Sequence, residues 1–230
     1  MGGRDSVMTS LAVVEIFDSI EGEGIRTGMP VTFIRLAGCN LRCSYCDTKY
    51  AQKETDGELI AVDDIIKKVN YSAVTITGGE PLLHYQSVIE LINKLNVSGH
   101  YVNIETNGSI NILPFIFAVR SGRGFFTVDY KCPCSGMQSK MSETNFDFMD
   151  ENDVLKFVVA HNQDLETVKD FLERHQNFKG TIFISPCFNT IPLPQLADKV
   201  KMMKKIYPKL DIRLQVQLHK IIWDPEKRGV

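Results

Sequence analysis

Three cysteines fall within eight residues, Cys39, Cys43 and Cys46, in the spacing C-x3-C-x2-C. Thiolates are soft ligands that suit zinc or iron–sulfur clusters. Three of them on one short loop can wrap one face of a cubane, with Gly38 permitting the tight turn that leads in. On a four-iron cluster, three cysteines leave one iron open, and an open coordination position is where chemistry can occur. A structural zinc would want a fourth ligand, and none follows nearby in sequence. A zinc knuckle completed by a distant residue remains the alternative. Further on, Thr77-Gly78-Gly79-Glu80-Pro81 closes a short apolar run. Its glycines let backbone approach a ligand closely, and Glu80 is a candidate partner for an ammonium group.

A C-x3-C-x2-C loop followed by a Gly-Gly-Glu-Pro turn resembles the signature of the radical S-adenosylmethionine (SAM) enzymes. More of the chain narrows the likeness: Ile20-Glu21-Gly22-Glu23-Gly24, Gly28-Met29-Pro30, Phe33-Ile34-Arg35-Leu36-Ala37-Gly38-Cys39 and Cys46-Asp47-Thr48 run in register. Ile104-Glu105-Thr106-Asn107-Gly108 and Gln215 to Lys220 carry it over nearly the whole chain. Together they are similar to the 7-carboxy-7-deazaguanine synthase family, radical SAM enzymes of queuosine and other 7-deazapurine biosynthesis.

That resemblance implies a ring-contracting lyase. 6-Carboxy-5,6,7,8-tetrahydropterin becomes 7-carboxy-7-deazaguanine with loss of ammonia, through a 5′-deoxyadenosyl radical that takes hydrogen from C6 and later regains it. The implied cofactors are a 4Fe–4S cluster on Cys39, Cys43 and Cys46, SAM at Gly78, Gly79 and Glu80, and Mg2+ at Thr48. Ile20, Glu21, Gly22 and Thr77 match substrate-contacting positions. Asn107 and Ser185 are further cofactor-pocket candidates, and His219 a further substrate contact. A homodimer and a flavodoxin or ferredoxin donor are implied as well. Two departures stand out. Position 21, commonly Gln in the family, is Glu here, an acceptor suited to the 2-amino and ring N–H donors of a pterin. Where many members carry Ser-Pro-Lys, this chain has Asp129-Tyr130-Lys131, expected to keep the SAM-binding role.

Chemistry alone singles out Arg35, four residues before Cys39. A fixed guanidinium can grip a carboxylate in bidentate fashion; a sheet-edge salt bridge is the plainer use of such a residue. For Thr48 the plainer use is a helix N-cap. Cys132, Cys134 and Cys187 have poor spacing for a second cluster and read as packing thiols.

These groups need a scaffold. Residues 13–17, 31–36, 73–77, 101–105, 125–130, 154–159, 181–185 and 212–216 are rich in β-branched and aromatic residues and predict strands. Helical spacing predicts helices at 62–69, 84–96, about 112–119, 164–175 and 196–207. A βα unit repeated about six times favours a parallel sheet covered by helices. The resemblance makes this an α/β fold of the incomplete (β/α) barrel type. Residues 132–153 are the least regular stretch and read as an insertion or lid. Residues 1–10, polar and Gly-rich, are expected to be a mobile leader, and 11–230 a single domain.

Composition narrows the function classes. Lys plus Arg is 26 against 28 Asp plus Glu in 230 residues, a net charge of −2, so no general pull on nucleic acid is expected. The chain is 43% hydrophobic and 23% charged, apolar enough to collapse rather than stay disordered. No apolar run approaches the ~20 residues that cross a bilayer. Six cysteines with no export pattern point to a reducing, cytoplasmic setting. Within the superfamily, a glycyl-radical activase shares the cysteine spacing. Outside it, a non-catalytic iron–sulfur electron carrier is the alternative, although such carriers usually have four cysteine ligands and no SAM turn.

Overall fold

The computed structural model describes residues 9–230. Of the expected leader, residues 1–8 lie outside the described residues, and Ser10 already begins the first strand. β1 (Ser10–Ile20) pairs antiparallel with β2 (Pro30–Leu36) on one side and with β3 (Glu58–Ala61) on the other. From β2 every pairing is parallel: β4 (Ala73–Gly78), β5 (Tyr101–Thr106), β6 (Phe125–Tyr130), β7 (Val154–Val159), β8 (Thr181–Pro186) and β9 (Asp211–Leu214) follow in order. The nine-stranded sheet has β3 and β9 as its edges and does not close. This is the incomplete (β/α) barrel that the repeated βα pattern and the resemblance led us to expect.

The helices form where apolar residues recur on one face. α2 (Tyr85–Val97) buries Val88, Leu91, Ile92 and Leu95, and α4 (Asn162–Arg174) buries Leu165, Val168, Phe171 and Leu172. α5 (Leu193–Ile206) buries Leu196, Val200 and Met203. α1 (Val62–Ile66) is shorter than its pattern suggested. α3 (Ile116–Ser121) starts late because Pro114 sits in a 3-10 turn, Leu113–Phe115, just before it. β3 escaped the sequence reading because it is a four-residue edge strand whose first two residues are exposed.

Residues 132–153 are neither insertion nor lid. They are the crossover from β6 to β7, and they bury Cys132, Phe146 and Met149 in the main core. The segment is rich in Ser, Asn and Asp, whose side chains bond backbone in competition with helix. Asn145 accepts from Ile112 N–H at 3.0 Å and donates to the Gly108 and Ile110 carbonyls. Asp153 accepts from Phe126 N–H at 2.8 Å.

Successive strand residues point to opposite faces. On the outer face Ile34, Ile76, Ile104, Val128, Phe157 and Ile184 pack under the helices. The inner face carries Arg35, Thr77, Glu105, Asp129 and Lys156 instead, and these line a cavity of about 720 Å3.

Candidate active site

The cysteine loop leaves the C-terminal end of β2. Its base is closed by Gly38 N–H to Ala51 O at 2.9 Å and Cys39 N–H to Gln52 O at 3.0 Å. Arg42 stiffens the turn by donating to the carbonyls of Cys39 and Leu41 at 2.8 and 2.6 Å. Ser44 ties the loop to the 132–153 crossover, through Ser44 N–H to Ser135 O at 3.1 Å and its hydroxyl to Cys134 O at 2.6 Å. Cys39, Cys43 and Cys46 are partly exposed, and all three line the cavity. Burial raises the Cys39 and Cys43 thiols, so without metal they hold their protons and would release them only on binding it. Among the described residues no three His, Cys, Asp or Glu side chains converge as they would on a single ion. The three thiols line one cavity, and soft sulfur donors of this kind suit an iron–sulfur cluster.

The Gly78–Gly79 turn leans on that loop with no side chain between them. Gly79 N–H donates to Leu36 O at 2.9 Å and Glu80 N–H to Gly38 O at 2.7 Å. A Cβ on Gly78 would overlap the Leu36 backbone, and one on Gly79 the Gly38 carbonyl. Both glycines line the cavity. Glu80 does not, which corrects its expected role as a direct ammonium partner. It is fully buried, accepting from Leu82 N–H at 3.0 Å, the Thr106 hydroxyl at 2.8 Å and Asn107 N–H at 2.6 Å. Burial pushes its carboxyl up to about 7 against those donors. Glu80 locks the turn to the end of β5.

Asn107 lines the cavity beside the cysteines, donating to Asn40 Oδ1 at 3.1 Å with Cys39 Sγ at 3.7 Å. Asp129 and Lys131 pair at 2.9 Å and also line it. Burial works against the Asp129 charge, but Lys131 and Lys156 outweigh it and hold the carboxyl below its ordinary value. Tyr130 is a correction. Its side chain points to the outer face, packing with Phe157 at 5.1 Å and Phe146 at 5.8 Å between ring centres. Ser185 is buried, its hydroxyl has no partner among the described residues, and it lies outside the residues that line the cavity.

At the other end, Arg35 Nε donates to Glu15 at 2.7 Å, and the same carboxylate oxygen accepts from the Tyr50 hydroxyl at 2.9 Å. Among the described residues neither Nη group of Arg35 has a hydrogen-bond partner. The salt bridge thus aims the guanidinium and leaves its fork free. Thr48 does not cap the 3-10 turn Lys49–Ala51 that follows it; its hydroxyl lies 3.7 Å from Cys46 Sγ. Thr77 donates to Glu105 at 2.8 Å. Ile20, Glu21 and Gly22 reach the cavity from the end of β1. Glu21 pairs with Arg26 at 3.1 Å and accepts from the Thr75 hydroxyl at 2.6 Å.

His219 opens the short helix α6 (His219–Ile222), which the sequence reading did not anticipate. It packs against Gly22 so closely that a Cβ there would strike its ring, and burial lowers its pKa. Leu218 N–H donates to Gly22 O at 3.1 Å, and Lys220 pairs with Asp47 of the cysteine loop at 3.0 Å. Burial opposes the Asp47 charge, yet Lys220 holds its carboxyl below the ordinary value. Residues 225–230 complete this wall, with Arg228 stacked 3.8 Å over Tyr50.

The sequence reading missed Glu23, Glu105 and Lys156. Lys156 was findable: a lysine inside Val154–Val159, otherwise wholly apolar, needs a carboxylate, and it has Glu23 at 3.0 Å and Asp129 at 3.4 Å.

Comparison with known proteins agrees with this arrangement. Residues 33–113 match the family model described as the Radical SAM superfamily, a span that holds the cysteine loop and the glycine turn. A 7-carboxy-7-deazaguanine synthase of Clostridium acetobutylicum is 43% identical, the match covering 95% of this chain and 98% of the relative. The enzyme of the same name from Koribacter versatilis is 34% identical over 96% of this chain and all of its own length. In fold, the chain is similar to a crystal structure of QueE from Escherichia coli, with a TM-score of 0.70 at 22% identity over 91% of this chain and 95% of that one. Sequence likeness of this extent, over a partial barrel whose cysteine loop and glycine turn meet at one cavity, shows that the chain belongs to the 7-carboxy-7-deazaguanine synthase family of radical SAM enzymes.

Proposed function

We propose that this chain is a ring-contracting lyase acting on 6-carboxy-5,6,7,8-tetrahydropterin to give 7-carboxy-7-deazaguanine and ammonia. The observation that carries the reading is that the three thiols of the cysteine loop, the Gly78–Gly79 turn and the free fork of Arg35 all face one cavity. Cys39, Cys43 and Cys46 would hold the 4Fe–4S cluster. Gly78, Gly79, Asn107, Asp129 and Lys131 would receive SAM, and the Thr48 hydroxyl would offer Mg2+ an oxygen, a hard ligand of the kind that ion prefers. When bound, the cluster supplies the electron that cleaves SAM and so the radical that removes hydrogen from the substrate.

The chain's own residues orient the substrate for that event. Arg35 presents two parallel N–H donors to the pterin carboxylate, in the geometry guanidinium and carboxylate share. Glu21, at the floor, accepts from the N–H edge of the ring. Lys156 holds Glu23 and Asp129 in place. Gln217, His219, Lys220 and residues 225–230 line one side of a cavity of about 720 Å3, a volume typical of small-molecule sites, which favours a pterin over the protein substrate of a glycyl-radical activase. Positioning matters more here than acid–base strength, because a reactive radical takes whichever hydrogen lies within reach. The family resemblance adds a homodimer, a flavodoxin or ferredoxin donor and a cytoplasmic setting.

The test is turnover. Anaerobically reconstituted protein, given SAM, Mg2+, a reductant and the carboxytetrahydropterin, should form 7-carboxy-7-deazaguanine, seen by mass spectrometry. SAM cleavage without consumption of the pterin would overturn the substrate assignment.

A further inference from the structure

Arg26 was singled out by neither motif nor spacing, and it does not itself line the cavity, yet it is held by four hydrogen bonds beneath Glu21, which does. It lies on the turn between β1 and β2, pinned by Glu21 N–H to Met29 O and Gly28 N–H to Glu21 O, both 2.8 Å. From there its side chain passes under the inner face of the sheet. Nη1 donates to Tyr101 O at 2.9 Å, and Nη2 to Val74 O at 3.2 Å, to Glu21 at 3.1 Å and to the Thr75 hydroxyl. The guanidinium lies 5.3 Å from the Tyr101 ring centre and 5.4 Å from that of Phe125. Arg26 is 3% exposed and Glu21 2% exposed.

We propose that Arg26 is a positioning residue for Glu21: it fixes that carboxylate in place and favours its ionised form, in which position 21 meets the N–H edge of the pterin as an acceptor. The inference rests on the substrate reading above and adds a residue to it. The inner-face carboxylates are all partnered: Glu23 and Asp129 share Lys156, Glu105 has the Thr77 hydroxyl, and Glu21 has Arg26. Burial, and after it the like charge of Glu105, favours the protonated acid; Thr75 and Arg26 oppose both. A protonated acid would present a donor to a ring edge made of donors. Arginine suits the task because it stays charged when buried and its planar fork can be clamped between rings. Thr75 closes the triangle, accepting from Arg26 and donating to Glu21 at 2.6 Å.

Arg26 also bonds the Val74 and Tyr101 carbonyls, so its loss alone could merely loosen the sheet. The experiment therefore compares Arg26→Gln, Glu21→Gln and the double variant in the reconstituted enzyme, reading kcat and KM for the pterin against pH, with thermal unfolding alongside. Removing one member of a buried pair strands the other, whereas removing both does not. Arg26→Gln should raise KM about tenfold and move the pH midpoint of kcat/KM upward, the direction expected when a cation leaves a carboxylate. The double variant should recover most of the KM loss of Arg26→Gln and unfold at a higher temperature than Glu21→Gln. Additive losses, or an unmoved pH midpoint, overturn the proposal. If Arg26→Gln does not fold, the double variant against Glu21→Gln decides: equal or lower stability overturns it. Failure of the parent enzyme to turn over the pterin is a different result and overturns the substrate reading instead.

Discussion

The Lys156 ammonium reaches across the cavity floor to Glu23, 3.0 Å away, and in doing so joins a central strand to the turn after β1. It also contacts Asp129 at 3.4 Å on the neighbouring strand. Both carboxylates keep the lysine protonated despite its burial. Lys156→Met should strand them. Breaking a buried charge pair costs on the order of 3 kcal/mol, or roughly 6–12 °C in unfolding temperature for a domain this size. Thermal unfolding checks the loss of stability, and kcat/KM should fall because Glu23 and Asp129 line the cavity and lose the cation that fixes them. An unchanged melting temperature would mean that water already compensates those carboxylates.

Replacing Cys39, Cys43 or Cys46 by Ala should abolish SAM cleavage and lower the iron bound after anaerobic reconstitution. Ser at Cys132, Cys134 or Cys187 should leave iron content intact. Cys132 is fully buried, and Cys134 donates toward Val158 O at 3.6 Å, contacts of packing thiols. Iron and sulfide analysis of the six variants separates the two groups.

Glu80→Gln is expected to act on stability first. A glutamine oxygen can keep two of the three donors, but its amide cannot accept from Asn107 N–H, which would lose its partner at 2.6 Å. A buried unsatisfied donor costs about 1–3 kcal/mol. Melting temperature should fall, and SAM affinity only as far as the turn loosens. Full stability with lost SAM affinity, measured by anaerobic calorimetry, would return the carboxylate to the ligand.

Arg35→Ala should raise KM for the pterin by roughly tenfold to a hundredfold, the worth of a charge-assisted hydrogen bond of about 1.5–3 kcal/mol, while uncoupled SAM cleavage survives. Thr48→Ala should raise the Mg2+ concentration needed for half-maximal turnover. Normal KM in the first variant, or unchanged Mg2+ dependence in the second, would remove that residue from the site.

Glu21 links pH to both binding and stability. Burial, then Glu105, raise its carboxyl from 4.5 to about 7 despite Arg26 and Thr75. Its folded value lies above its unfolded one, so the stability it contributes is complete below the unfolded pKa. That contribution is lost as pH rises through about 7. Substrate affinity runs the other way, improving as the acceptor ionises. A titration of KM and unfolding temperature across neutrality should show the two trends crossing, and Glu21→Gln should flatten both.

Much of this site was written in residue types at short range. The cysteine spacing, the glycine turn and Arg35 are local patterns, and the strands carrying them are dense in β-branched residues. What stayed hidden depends on pairing across distance. Asp129-Tyr130-Lys131 read as one unit, but side chains alternate along a strand, so Tyr130 faces the helices while its neighbours face the cavity. Glu80 looked like a ligand because nothing in sequence says that Thr106 and Asn107 will meet it. β3 and α6 are too short to show a period. Arg26 sits in a glycine-rich turn, where only the fold reveals that its side chain runs inward.

The backbone contact between Gly78–Gly79 and Leu36–Gly38 makes one mechanical body of two loops drawn from different strands. No side chain intervenes to change rotamer, and two hydrogen bonds of 2.9 and 2.7 Å fasten the seam. Thermal fluctuation therefore carries the thiols and the glycine turn together. An electron's passage falls off steeply with the gap it must cross. With a cluster on the thiols and SAM at the turn, this seam of bare backbone would hold that gap steady.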